Sequence, residues 1–134
     1  MKSFKFTLLL LLLTTALFAQ SNNTPAVITA TFTDSLKNQA RRIAPKDLNV
    51  TKIVYTSIIS AEGRLTNPTI LQQVGGGSTA DNDFVVALKK LIMAAPAWKP
   101  AIGTLTNKPV EDSVEFSIEI KKRDIKIKQI TVYN

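Results

Sequence analysis

Residues 93–120 read MAAPAWKPAIGTLTNKPVEDSVEFSIEI and hold most of the information about the fold. Pro96 ends a helical pattern, and the only tryptophan, Trp98, stands between Pro96 and Pro100. From Val110 to Ile120, mostly apolar positions alternate with glutamate and serine. Because successive side chains on a strand point to opposite faces, this alternation predicts a strand with one buried face and one wet face. We therefore expect helices to cover one side of a sheet, in a two-layer α+β domain.

Two amphipathic helices are predicted, both on the covered face of this sheet. The first is expected to begin near Thr33 and Asp34, where N-cap chemistry and negative charge occur, and to end before Pro45. The second follows the triple glycine at 75–77 and should begin at Ser78 or Thr79.

Two strands are predicted between these helices. Residues 50–60 are apolar on both faces, which is typical of a central strand. Residues 65–74 contain Pro68, which cannot donate to a ladder, so this strand should lie at an edge. The expected antiparallel sheet therefore has three to four strands in the order second, first, third. We expect the tail to add a fourth strand, with a mobile extension as the alternative. Its apolar positions change parity as though a bulge occurred at Gln129.

Trp98 has two interpretations. The two flanking prolines restrict the backbone, so the ring could be pressed against the end of the core. Alternatively, it could be an exposed recognition ring.

Residues 1–19 have the pattern of a secretory signal peptide. Lys2 and Lys5 precede the apolar run Leu8–Leu13, and small residues lead to an expected cleavage after Ala19. The apolar stretch is about a dozen residues long, whereas a helix needs roughly 20 to cross a bilayer, so we expect an exported protein without an integral membrane anchor. The chain contains no cysteine, so none can carry a lipid or form a disulfide. Residues 20–30 are expected to be a flexible N-terminal segment.

The chain contains no histidine and no cysteine, which removes the commonest general base, the thiol nucleophile and the usual zinc ligands. Glu111, Glu115 and Glu119 are four residues apart on one strand, about 13 Å at each step, which is too far for a glycosidase pair. We expect no enzymatic activity, no cofactor and no metal. Nucleic acid is not an expected partner of an exported chain.

The chain has 17 basic and 10 acidic side chains, and five basic ones are close together near its C-terminus. They are Lys121, Lys122, Arg123, Lys126 and Lys128. Such a cluster could contact anionic cell-wall polymers or lipid headgroups, or it could simply be a solvated tail.

Four blocks of this sequence resemble the TonB C-terminal domain in the form common in Bacteroidetes-type envelope proteins. They are the hairpin at 61–65, the helix Phe84 to Ala95, the elbow 96–101, and 108–110 with the strand that follows. The motif residues are Pro96, Trp98, Lys99, Pro100, Lys108, Pro109 and Val110. Asn107 stands where the family usually has glycine. The resemblance implies a periplasmic domain over 31–120, followed by a basic C-terminal extension over 121–134.

The resemblance also implies a function. Proteins of this family bind an extended segment of an outer-membrane transporter along the edge of their last strand, by β-augmentation. Carried over, the partner-binding residues are Ser113, Val114, Glu115, Phe116, Ser117, Ile118, Glu119 and Ile120, with Trp98 bracing the site. The expected function is noncatalytic binding of a peptide or protein partner. The alternatives are a structural or self-associating envelope protein, including a homodimer formed through the tail, and a binder of anionic polymers.

Overall fold

The computed structural model describes residues 23–131, so the expected signal peptide at 1–19 and the last three residues lie outside the described part of the chain. The described residues form two helices and six strands. These are α1 Ala30–Ile43, β1 Lys52–Ile59, β2 Leu65–Val74, α2 Thr79–Ala94, β3 Ala101–Ile102, β4 Pro109–Val110, β5 Asp112–Lys121 and β6 Asp124–Ile130.

The main sheet is antiparallel, with four strands in the order β2-β1-β5-β6. The predicted α+β class, the order of the first three strands and the addition of the tail as a fourth strand are confirmed. Pro68 lies in β2, at one edge of the sheet, as expected. The domain does not end at 120, because β6 pairs with β5 without interruption from Lys121↔Asp124 to Glu115↔Ile130. No bulge occurs at Gln129, which pairs with Phe116 in the same continuous register.

Helix α1 begins one turn earlier than predicted. Its N-cap is Thr29, whose hydroxyl accepts a hydrogen bond from the amide of Phe32 at 3.2 Å. The residues before Thr33 look extended in the sequence because they are apolar or β-branched. Phe32, however, is buried in the core, so tertiary packing outweighs that local preference.

Helix α2 begins at a capping box whose N-cap is Ser78, one of the two predicted caps. The Ser78 hydroxyl accepts from the amide of Asp81, and the Asp81 carboxylate accepts from the amide of Ser78. Asp81 also accepts from the amide of Asn49 at 3.0 Å, and its side chain is closed to solvent. These hydrogen bonds, that from Asn49 first, hold the pKa of the Asp81 carboxyl below its usual value. The carboxylate thus joins the start of α2 to the loop before β1.

Four aromatic rings form the centre of the core. The Phe116 ring stacks on Tyr55 at a centroid distance of 5.3 Å and meets Trp98 edge-on at 5.7 Å. Phe32, from α1, contacts both Trp98 and Phe116. Because Trp98 is only 2% exposed, the packing interpretation is confirmed and an exposed recognition ring is excluded.

The elbow around Trp98 is fixed to the hairpin between β1 and β2. The Trp98 amide donates to the carbonyl of Gly63 at 2.7 Å. Gly63 has φ +83, and a Cβ at this position would clash with the Trp98 carbonyl oxygen. Glycine is therefore required here both for its backbone conformation and for the close approach of the elbow.

The flexible segment expected at 20–30 is instead ordered where the structure describes it. Thr24 pairs with Ile102 and Val27 with Lys99 in antiparallel bridges. Ala26 is fully buried, and its amide donates to the Asp112 carboxylate at 2.9 Å. The expectation came from the polar composition of the segment, and its hydrogen bonds to Lys99, Ile102 and Asp112 correct it.

Candidate peptide-binding edge

Strand β5, which was predicted to provide a free edge, is an interior strand. Its residues pair with β1 on one side, and from Glu115 onward they pair with β6 on the other. The predicted contact residues Ser113, Val114, Glu115, Phe116, Ser117, Ile118, Glu119 and Ile120 therefore do not form an open edge, although Ser113 and Val114 extend past the last residue of β6. The physical reason is the tight turn at Lys122 and Arg123, with Lys122 at φ +59, which folds the tail back onto β5.

The predicted faces of β5 are correct even though its edge is closed. Val114, Phe116 and Ile118 are all buried in the core, at 4%, 0% and 0% exposure. Glu115 and Glu119 are half-buried on the other face of the sheet. The helices cover the Phe116 side, as the alternation predicted.

The residues of the predicted family motif have a structural role and do not bring reactive groups together. Trp98 is buried, whereas Pro96, Lys99, Lys108 and Pro109 are exposed, and Pro100 and Val110 are half-buried. Strands β3 and β4 pair Ala101 with Val110, which brings the elbow and the second half of the motif together. Trp98 contacts the middle of β5 through the Phe116 ring, from inside the core, so it does not border an open edge.

Asn107, the residue at which the sequence departs from the pattern it resembles, has a left-handed backbone conformation. Its φ is +53, in the left-handed region that asparagine tolerates better than most other residues. Its amide donates to the carbonyl of Gly103 at 2.8 Å and closes the β3–β4 turn. Asparagine therefore fits the conformation of this turn.

The two outer strands of the sheet are β2 and β6, and their edges differ. In β2, Pro68 has no donor and Asn67 has a left-handed φ of +51. Two register shifts against β1 further disturb the pairing. Strand β6 has neither a proline nor a register shift along its seven residues. The regular edge belongs to β6.

The hydrogen-bond alternation shows which main-chain groups of β6 face outward. The Ile120 amide donates to Thr51 on the β1 side at 2.8 Å, so in β5 it is the neighbours of Ile120 that bond to β6. Lys126, paired with Glu119, therefore bonds inward to β5. By the same alternation, the amides and carbonyls of Ile125, Ile127 and Gln129 point away from the sheet.

A groove of about 250 Å³ lies beside this edge, between α1 and β6. Its walls are Thr33, Asp34 and Lys37 of α1 and Ile125, Lys126, Ile127 and Lys128 of β6. Ile125 is buried, whereas Ile127 is half-buried and presents apolar surface on the β6 side.

Side-chain contacts hold both ends of β6. At one end, Arg41 of α1 donates to the carbonyl of Arg123 at 3.1 Å and forms an exposed ion pair with Asp124 at 3.5 Å. At the other end, the Gln129 amide group donates to the carbonyl of Ala26 and accepts from the amide of Ile28. The edge between these ends is thus held in a fixed position.

The five residues predicted for anion contact all belong to the β5–β6 hairpin. Lys121, Lys122, Arg123, Lys126 and Lys128 are exposed. Lys126 and Lys128 lie on the open face of the sheet, because Ile125 and Ile127 take the core side. The hairpin therefore carries a strongly basic rim beside the β6 edge.

Sequence reasoning missed the β6 edge, although the alternation of Ile125 and Ile127 with lysines carried the signal for it.

Within residues 23–131, no group of three or more acidic, histidine or cysteine side chains could hold a metal ion. Within the same range, no helix is long and apolar enough to span a bilayer. No protein-family description, curated protein or solved structure matches this chain.

Proposed function

We propose that this protein is a noncatalytic, periplasmic, TonB-like binding module that recognises an extended peptide or protein segment by strand addition at the outer edge of β6. A segment of an outer-membrane transporter is the expected kind of partner. The observation that carries the proposal is the regular edge of β6, where Ile125, Ile127 and Gln129 turn their main-chain groups outward beside a groove. An added strand satisfies such groups with main-chain hydrogen bonds.

The energetics support a modest, adjustable affinity. Each main-chain hydrogen bond contributes about 0.5–1.5 kcal/mol net, so a few bonds to this edge need further contacts to give useful binding. A side chain that enters the groove supplies apolar contact with Ile127. Because Arg41 and Gln129 already fix both ends of β6, little entropy is lost in ordering the edge.

A proline substitution at the centre of the edge tests the proposal. Ile127→Pro removes an amide that faces outward and leaves the inward hydrogen bonds of Lys126 and Lys128 to β5 intact. We expect loss of partner capture from envelope extract, with an unchanged circular dichroism spectrum. Ile127→Val is the matched control and should retain capture.

A second arm keeps the test decisive if Ile127→Pro misfolds. The segment of the captured partner that binds the wild-type protein is synthesised as a peptide, with and without N-methyl groups on the amides that would bond to the β6 edge. Loss of binding by the N-methylated peptide supports strand addition. Equal binding of the methylated and unmethylated peptides contradicts it.

The basic rim favours a second candidate function, binding of an anionic polymer or headgroup. Five exposed cations on one hairpin create a positive potential that attracts polyanions. Unlike strand addition, this function does not require the main-chain hydrogen-bonding groups of β6. Binding that weakens steeply with salt but persists in Ile127→Pro would favour it.

A further inference from the structure

We infer that the strand added at the β6 edge is acidic, with a pattern in which two acidic residues flank an apolar one. The acidic side chains would lie against Lys126 and Lys128, and the apolar side chain would enter the groove beside Ile127. This inference rests on the proposed strand addition and specifies the chemistry of the partner segment.

The pattern follows from the two faces of β6. Lys126 and Lys128 are exposed and lie on the open face, whereas Ile127 between them faces the helix layer. Side chains of an added strand also alternate between faces, in either strand direction. Residues i and i+2 of the partner therefore meet the lysines, and residue i+1 meets Ile127 and the groove.

The sheet already contains half of this arrangement on the inner side of β6. Lys126 lies directly opposite Glu119 of β5, with the two side chains on the open face. Opposite charges at such positions contribute about 0.2–1 kcal/mol, and here the two residues are opposite in register without a salt bridge between them. The outer side of Lys126, and both sides of Lys128, have no carboxylate opposite them among the described residues, since Lys128 lies opposite Ser117.

The groove favours a medium-sized apolar side chain at the central position. Its volume of about 250 Å³ accommodates one such group. Ile127, which is half-buried, supplies apolar contact on the β6 side, and Lys37 supplies its aliphatic chain on the α1 side. An added strand with a charged central residue would lose these contacts.

A second copy of this chain fits the edge less well. Antiparallel pairing of β6 with its own copy about Ile127 places Lys126 opposite Lys128 of the second copy, and like charges at such positions are destabilising. Lysines on an exposed edge strand commonly prevent this kind of self-pairing. Strand β2 of a second copy contains no acidic residue to meet the lysines. Charge complementarity thus selects a foreign acidic segment.

Three short capped peptides test the inference by titration against the exported protein. They are identical except for the central sequence, which is glutamate-valine-glutamate, glutamine-valine-glutamine or lysine-valine-lysine. We expect the acidic peptide to bind about tenfold more tightly than the glutamine peptide at low salt, since two opposite-charge pairs are gained. The basic peptide should bind least.

Two protein variants with the same change in net charge complete the design. Lys126→Glu with Lys128→Glu should reverse the preference toward the basic peptide. Lys89→Glu with Lys90→Glu alters two exposed lysines of α2 and should keep the preference for the acidic peptide. An N-methylated acidic peptide should not bind.

The outcomes separate the inference from the proposed function. Equal binding of the glutamate and glutamine peptides overturns the acidic preference and leaves strand addition in place. An acidic preference that survives Lys126→Glu with Lys128→Glu also overturns the inference. If the N-methylated acidic peptide binds as tightly as the unmethylated one, the interaction is charge attraction alone, and both proposals are overturned. Both are also overturned if none of the three peptides binds.

Discussion

Ile127 lies directly opposite Ile118 in the β5–β6 ladder. The main-chain groups of Ile118 point toward β1, so Ile118 and Ile127 form a pair without hydrogen bonds between them. The main-chain groups of Ile127 therefore point outward, at the free edge of the sheet. The tail has therefore moved the sheet edge outward by one strand. A partner that adds a strand to this sheet meets isoleucines and lysines rather than the glutamates and serines of β5.

Substitution of Gly63 tests the contact between the elbow and the β1–β2 hairpin. Gly63→Ala should destabilise the protein by about 2 kcal/mol or more, because the residue has a left-handed φ and its Cβ would meet the Trp98 carbonyl. Chemical denaturation measures the effect. Gly77→Ala is the control, since Gly77 also has a positive φ but nothing lies within 4 Å of its added Cβ. Equal losses for the two variants would contradict the clash with the elbow.

Asp81 gives the stability of the protein a specific pH dependence. The pKa of the Asp81 carboxyl is lowered from its ordinary value of 3.8 in the folded state. The contribution of Asp81 to stability is therefore fully present above that ordinary value and is lost as the pH falls through the lower folded-state pKa. We expect Asp81→Asn to be less stable than the wild type at neutral pH, and the difference to shrink on acidification. Asp83→Asn, at an exposed position of the same helix, is the control for urea denaturation across this range. A constant difference between Asp81→Asn and the wild type would contradict the account.

Tyr55 has a buried hydroxyl that lacks a hydrogen-bond partner among the described residues. Removing an unpaired buried polar group should be neutral or stabilising. Tyr55→Phe is therefore expected either to raise the free energy of unfolding or to lower it by less than about 1 kcal/mol. Burial raises the pKa of Tyr55 above its usual 10.0, so the wild type alone should lose stability from this group as pH rises above that value. Denaturation at neutral and alkaline pH measures both effects. A clear loss of stability in Tyr55→Phe at neutral pH would show that the hydroxyl has a partner.

Gln129 should hold the N-terminal segment against the sheet. Gln129→Leu leaves the Ala26 carbonyl and the Ile28 amide unpaired, which should cost about 1–3 kcal/mol and speed hydrogen exchange at Ile28. Gln72→Leu, on the exposed part of β2, should leave the Ile28 exchange rate unchanged. Unaltered exchange at Ile28 in Gln129→Leu would mean that the bridges of Thr24 and Val27 suffice on their own.

The features of this fold that could be predicted from the sequence are those that depend on neighbouring residues. Alternation in β5 identified its buried face, Pro68 marked an edge strand, and the serine before α2 marked its cap. These features are local, so the neighbouring residues report them directly.

The remaining features depend on contacts that are distant in sequence. Gln129 faces the core layer, where it binds residues 26–28, a hundred positions earlier. From the sequence, the change of parity of the apolar residues around it suggested a bulge instead. The resemblance placed the end of the domain at 120, so the free edge was assigned to β5. The apolar residues Ile125 and Ile127 carried the opposite information, since buried isoleucines in a tail require a surface to cover them.

Amide hydrogen exchange, with and without an acidic peptide, tests the central claim most directly. In the free protein we expect slow exchange at Lys126 and Lys128, which bond to β5, and fast exchange at Ile125, Ile127 and Gln129. Bound peptide should slow exchange at these last three amides and leave β2 unchanged. New protection along β2, or binding without any protection at Ile125, Ile127 and Gln129, would contradict strand addition at the β6 edge.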